Sequence, residues 1–456
     1  MNLNSKFTEN KSIIYIFFIG ILISSFYSIY NINKFEKNEK NGHLMIRGDI
    51  NLIWREAYAF KKDLIEKKTF FGNGIPYTRT FLPSKTIALY SFLRDQNIYE
   101  NIDNEIIKEG KKLIYLFFQI ILYYLSLLYL YKKLLLFYDR KNITILTIAF
   151  LALDPNIIQW HGTFWTESIF ISMQVFLIGM VINKNKTNFF CLFLGLFLGL
   201  IFLQKTVGVL FILFIVFYVF FTEVKYRFIK IFNINLGFFL VLILLGLDNY
   251  KKTGIFYVMP TQTKYAHYAV LVPQILLETK DSQAYNELKE SEKKWKIENN
   301  FSRENFKSVY NLRKFEQKKA IEIILENKII TLKIYLKKII NHLVLNPLQT
   351  YYWHKYNQIE YSHEEFHLSE ESRKYFYFKV LYSLIFYIIL LMGFIKIIND
   401  KKNYKFHLLL IFLVSYLVFM LGWVGNSRYF VPSLIFLSIF FGHGMEYIRE
   451  LRNKKL

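Results

Sequence analysis

The chain has 456 residues, 54% of them hydrophobic and 19% aromatic, with 47 Phe and 34 Tyr, and its formal net charge is +23. Long uncharged apolar blocks occur at Ile13–Tyr30, Leu113–Tyr131, Thr187–Gln204, Thr206–Thr222 and Phe406–Ser427. They exclude a soluble enzyme, a secreted disulfide-rich domain and a disordered chain, because about 20 apolar helical residues cross a bilayer core. The positive charge then reads as cytoplasmic loops rather than as a nucleic-acid surface, so no nucleic acid is expected as a partner.

The first block, Ile13–Tyr30, follows Lys6 and Lys11, and no small-residue cleavage site comes after it. It reads as an uncleaved first span rather than a signal peptide. A polar region, 31–112, follows; it holds a predicted helix over Ile50–Lys67 and a turn at Gly72-Asn73-Gly74. Six spans are predicted next within 113–247: near Leu113–Leu136, Asn142–Trp160, Glu167–Ile182, Asn188–Leu203, Val207–Phe221 and Ile229–Leu247. A second polar region, 248–374, is read as largely helical from Ser282 to Leu345. Three spans close the chain within 375–456, near Tyr375–Ile395, Lys405–Val424 and Tyr429–Glu446. The expected fold class is an all-α polytopic membrane protein of about ten transmembrane helices with two large extracytoplasmic loops.

Charge asymmetry orients these spans. Lys132–Lys141, Lys184–Lys186, Lys225–Lys230, Lys401–Lys405 and Arg449–Lys455 are rich in Lys or Arg. The opposite short loops, His161–Thr166, Gln204–Thr206 and Gly425–Arg428, carry only Lys205 and Arg428. Both termini are therefore expected in the cytoplasm and both long polar regions outside. The lone Cys191 lies in an apolar run, so no intrachain disulfide forms.

Asp49 follows Arg47-Gly48 just before a predicted helix. It suits a helix cap, and equally a general base at the outer membrane face. Glu167 opens the fourth predicted span with no other charge near it. An ionisable group at that depth is a candidate functional residue, although a first-turn Glu also suits the helix dipole. Lys205 and Arg428 suit a clamp on a phosphate at the membrane surface, or simple snorkelling to head groups. Arg79 and Lys85, on either side of Pro83, are further candidates of the same kind. His363-Glu364-Glu365-Phe366-His367 fits the zinc-protease pattern of two His four apart, but it lies in a densely charged stretch, against a packed catalytic helix.

Taken in order, several of these residues resemble the GT-C superfamily of membrane glycosyltransferases, of the protein mannosyltransferase or aminoarabinose transferase kind. Asp49 matches the acidic residue early in that family's first outer loop. Asp154-Pro155 through Thr166-Glu167 resembles its Pro-then-acid junction, and Lys205-Thr206-Val207-Gly208 its basic residue before a small-residue turn. Asn249-Tyr250 with Thr253-Gly254-Ile255-Phe256 is similar to its entry into a later outer loop. Arg428-Tyr429-Phe430-Val431-Pro432 is similar to the Arg-Tyr-Pro start of a late span. Three features depart from the pattern: Ile50 follows Asp49 where an acid is common, Lys205 replaces Arg, and a paired-proline motif is reduced to Phe81-Leu82-Pro83.

The resemblance implies transfer of a sugar from a polyprenyl-phosphate donor to a glycan, lipid or protein acceptor, with inversion, at the outer face of a bacterial inner membrane. Asp49 and Glu167 would be catalytic, and Lys205, Arg428, Arg79 and Lys85 would bind the lipid phosphate. A divalent metal serves only some branches and stays open here, and no other cofactor is expected. Membrane lipids are further expected partners. The alternatives are an O-antigen-type polymerase or ligase, and a lipid-linked sugar flippase or other transporter. The sequence shows neither the internal repeats nor the midplane polar sites usual in transporters.

Overall fold

A computed structural model of the protein describes residues 3–37, 49–66, 81–94, 111–138, 140–163, 166–261, 267–279, 282–302, 305–347, 349, 370–398, 403–422, 424 and 427–455. Among these the chain is helical almost throughout and contains no strand. Helix α1 (Leu3–Lys37) is followed by α2 (Asp49–Ile65) and α3 (Phe81–Arg94) in the first polar region. Then come α4 (Lys111–Phe137), α5 (Lys141–Leu153), α6 (Pro155–Ile158), α7 (Glu167–Val181), α8 (Asn188–Gln204), α9 (Phe211–Thr222) and α10 (Arg227–Thr253). The second polar region supplies α11 (Val272–Glu278), α12 (Ser282–Glu298), α13 (Phe306–Glu326) and α14 (Lys328–Leu343). Helices α15 (Glu370–Ile398), α16 (Tyr404–Gly422) and α17 (Val431–Lys455) close the bundle.

Among the described residues six helical stretches, in α1, α4, α10, α15, α16 and 428–454, are long and apolar enough to cross a membrane alone. The third predicted span is not one rod: it bends by 44° between Lys141–Leu153 and Pro155–Gly162, and as one span it makes the seventh. Three apolar helices, Glu167–Val181, Asn188–Gln204 and Thr206–Thr222, are shorter. On the outer helices, Phe26, Phe232, Leu244 and Leu381 are each more than half exposed. Only a hydrocarbon surrounding satisfies such a surface.

The bend has a local cause. A residue before proline avoids the helical region, and Asp154 is extended (φ −65°, ψ 120°). Its backbone N–H still donates to the Phe150 carbonyl at 2.9 Å and ends α5, while its Oδ1 accepts from the Asn156 N–H at 2.9 Å and caps α6. Tyr382 of α15 donates its hydroxyl to the other carboxylate oxygen.

Helices α8 and α10 cross with their backbones nearly in contact. A Cβ on Gly195 would overlap the Ile234 carbonyl, and one on Gly237 would overlap that of Leu192. Close approach through small residues is the usual packing device between helices in lipid. Gly195→Leu is therefore expected to cost at least the ~1–3 kcal/mol typical of overpacking, seen as a lower unfolding temperature in detergent.

The second polar region packs on one end of the bundle. Tyr268, Val272, Leu276, Leu288 and Ala320 form its own small core. Tyr268 donates to Glu292 at 2.8 Å, and the neighbouring Lys296 ammonium helps hold the Glu292 carboxyl below its ordinary range, against desolvation that pushes it up. Helix α14 reaches the bundle through Tyr387, which donates to the Leu343 carbonyl at 2.6 Å, and through the ring of His342, 5.6 Å from that of Phe430.

Candidate functional site

Helix α7 begins at Glu167, which is completely buried. Its Oε1 accepts from Lys205 Nζ at 3.0 Å and from Arg428 Nε at 2.7 Å. The three residues come from distant parts of the chain: Lys205 lies 38 residues after Glu167 and Arg428 lies 261 residues after it. Lys205 ends α8 in an extended conformation (φ −155°, ψ 121°) before a short 3-10 turn. Arg428 sits in the 3-10 turn Ser427–Phe430 that leads into α17. The Lys205 and Arg428 side chains are only 13% and 8% exposed.

Aromatic rings enclose the cations. Lys205 Nζ lies 5.3 Å from the centre of the Tyr429 ring and 5.6 Å from that of Phe170. The Arg428 guanidinium carbon lies 5.2 Å from the same Tyr429 ring and 5.8 Å from the Trp160 ring. A cation over an aromatic face gains from the ring quadrupole. Two buried cations thus share one carboxylate oxygen, and the trio carries a net positive charge.

The loop before Glu167 is held by three side-chain amides. Asn31 of α1 donates to the Gly162 carbonyl at 3.0 Å, Gln119 of α4 to that of Thr163 at 3.1 Å, and Gln204 of α8 to that of Thr166 at 3.1 Å. The Gly162 and Thr163 carbonyls leave the broken third span, and the amides supply donors to them; the Thr166 carbonyl accepts from Gln204 and also from the Phe170 N–H of α7 at 3.2 Å. The amides also fix where Glu167 starts its helix. His161, likewise buried, makes a 2.7 Å contact with Ser168 Oγ through Nδ1. Gln204→Leu keeps bulk and removes one of two donors from the Thr166 carbonyl, which keeps the Phe170 N–H. It is expected to lower stability by about 0.5–1.5 kcal/mol, measured by thermal unfolding of the purified protein.

The other candidates are placed differently. Asp49 is the first residue of α2. Lys85, on α3, is buried with its Nζ 3.5 Å from the centre of the Phe60 ring of α2. Lys252 of α10 reaches the same ring at 5.5 Å and pairs with Asp248 at 2.8 Å, while Ser84 donates to Glu56 at 3.4 Å. Lys85 therefore packs on the Phe60 ring, beside the Lys252–Asp248 pair at the end of α10. Arg79 and the stretch His363, Glu364 and His367 lie outside the described residues. Among the described residues no group of three or more His, Cys, Asp or Glu side chains is arranged to hold a metal ion.

Sequence reasoning missed the three amides and the buried bond of Asp154 to Tyr382. A usable signal existed for the amides: Gln119 interrupts one apolar block and Gln204 ends another.

No protein-family model matches the chain, and no curated protein does. Among solved structures it is similar to the archaeal oligosaccharyltransferase AglB from Archaeoglobus fulgidus, in complex with an inhibitory peptide and a dolichol-phosphate. The TM-score is 0.46 and the identity 12%, over 99% of this chain and 52% of that one. The chain thus spans about half the length of that protein.

Proposed function

We propose that the protein is an integral-membrane glycosyltransferase that moves a sugar from a polyprenyl-phosphate carrier to a glycan, lipid or protein acceptor. The observation that carries this reading is the meeting of Lys205 and Arg428 on Glu167 at one end of an apolar bundle. A charge in a span is costly and is kept where it serves a task. Two cations on one carboxylate are suited to a second anion, and a lipid phosphate brings that anion to this depth.

In this mechanism Lys205 and Arg428 hold the phosphate of the donor lipid. The acceptor hydroxyl gives its proton to Asp49 and its oxygen attacks the anomeric carbon. The bond from that carbon to the phosphate oxygen breaks, and the electron pair leaves with the phosphate, whose growing charge the two cations stabilise. One displacement inverts the anomeric centre. Glu167 is given a positioning role, because its Oε1 accepts from both cations and its Oε2 from the Thr166 hydroxyl. The same reading puts the site at the outer face of a bacterial inner membrane, with both termini in the cytoplasm.

The direct test compares lipid-linked sugars and surface glycans by mass spectrometry in a deletion strain and its parent. One polyprenyl-phosphate sugar should accumulate and one glycan sugar should vanish; unchanged profiles would sink the proposal. Within this reading Arg428→Ala should weaken donor use more than Arg428→Lys, which keeps the charge and loses the fork. Unimpaired donor use in Arg428→Lys would argue against a geometric role for the guanidinium, and equal loss in both variants would argue that charge alone contributes nothing.

A further inference from the structure

The end of the bundle opposite Glu167 holds a feature that transfer chemistry does not use. Between the second half of α9 and the first half of α16 lies a cavity of about 550 Å³, lined by Phe214, Phe217, Phe221, Leu408 and Phe412 among others. Phe217, Phe221 and Phe412 are 54%, 59% and 48% exposed, so the cavity opens sideways, toward hydrocarbon in a membrane. Lys405 lines its mouth, where its Nζ donates to the Phe221 carbonyl at 2.8 Å. That carbonyl belongs to the last turn of α9, where intrahelical partners run out. The bond fixes the ammonium at the mouth of the groove.

More positive charge surrounds this mouth. Lys186 lies 5.6 Å from the ring centre of Tyr218, which also lines the groove. Lys186 and Lys230 share the Glu223 carboxylate at 3.2 and 2.5 Å, and Arg227 donates to the Glu223 backbone carbonyl at 2.8 Å. Two cations therefore sit on the Glu223 carboxylate, and two more, Arg227 and Lys405, bond backbone carbonyls at the end of the same apolar groove.

We infer that this groove is a binding site for one acyl chain of an anionic phospholipid, with the headgroup phosphate held at Lys405. A lipid tail is as apolar as the groove, so chain burial alone cannot select among lipids. Selection falls to the headgroup. An anionic headgroup meets a rim on which four cations outnumber the one described carboxylate, Glu223, whereas a zwitterionic one brings its own positive charge. The site lies in the leaflet away from Glu167 and does not depend on the proposed transfer activity.

The test uses the full-length protein in mixed micelles with two spin-labelled lipids of identical chains, phosphatidylglycerol and phosphatidylcholine. Electron paramagnetic resonance reports the immobilised fraction of each. Phosphatidylglycerol should be retained about fivefold better, the effect expected per basic residue at an anionic lipid surface. Lys405→Gln should bring the ratio close to one, and Lys405→Arg should keep it. Leu408→Trp, which fills the groove, should release one lipid of either headgroup, and Leu408→Phe serves if that variant does not fold. Equal retention by the unaltered protein would overturn the inference. So would an undiminished preference in Lys405→Gln, or displacement of phosphatidylglycerol by a polyprenyl phosphate at equal concentration.

Discussion

Glu167→Gln is expected to be among the most damaging single changes in this protein. The substitution preserves shape but removes the one carboxylate that Lys205 and Arg428 share. Two cations, each at most 13% exposed, then lose the carboxylate that lies between them. Breaking a buried ionic contact by removing one partner typically costs ~3–5 kcal/mol, because the remaining charge is not resolvated. The unfolding temperature in detergent should fall accordingly, and transfer should be lost with it. The phosphate proposal adds a finer expectation. A polyprenyl phosphate would supply the missing negative charge, so it should raise the unfolding temperature of Glu167→Gln more than that of the unaltered protein. That extra rise should disappear in the Glu167→Gln, Arg428→Ala double variant. If the lipid stabilises all three proteins equally, Lys205 and Arg428 do not hold its phosphate.

Asp49→Asn should separate a structural role from catalysis. Asp49 opens the first turn of α2, so a purely structural role is a charge on the helix dipole, and Asn then costs only ~0.3–1 kcal/mol of stability and leaves activity intact. A general base does not tolerate it, because the amide cannot take the acceptor's proton. Transfer should then fall by ~10²–10⁴-fold while expression holds and the unfolding temperature falls only slightly. The measurement is sugar transfer from a synthetic polyprenyl-phosphate donor by the purified protein. Near-normal transfer would remove Asp49 from the mechanism.

The apolar architecture was readable because a bilayer imposes it. Each crossing needs a long charge-free helix whose backbone is satisfied within itself, and the block Thr187–Gln204 announces α8 almost to the residue. Helix ends were less visible. The seventh predicted span stops at Leu247, where charges begin, yet α10 runs on to Thr253. Asp248 and Lys252 neutralise each other at 2.8 Å one turn apart, so charge does not end the helix. Gly254 does, with φ +70° in the left-handed region that glycine adopts freely.

The candidate cations were legible for a different reason. Lys205 and Arg428 stand out because their loops are otherwise poor in charge. Their shared contact with Glu167 could not be read, since it arises only when α7, α8 and α17 pack side by side. Nor did spacing separate Lys85 from this trio; only the fold places its ammonium on Phe60. The amides at Asn31, Gln119 and Gln204 escaped notice because neutral side chains leave no trace in charge counting.

The separation of 261 residues between Glu167 and Arg428 also sets a clock. At roughly 5–20 residues per second, synthesis delivers Arg428 roughly 10–50 s after Glu167 enters the growing chain. Through that interval Glu167 has Lys205 alone as its cationic partner from the trio. A chain that stops before the turn Ser427–Phe430 keeps the earlier pair without its third member. Assembly of the trio therefore waits on the synthesis of the turn that carries Arg428, long after the pair of Glu167 and Lys205 can form.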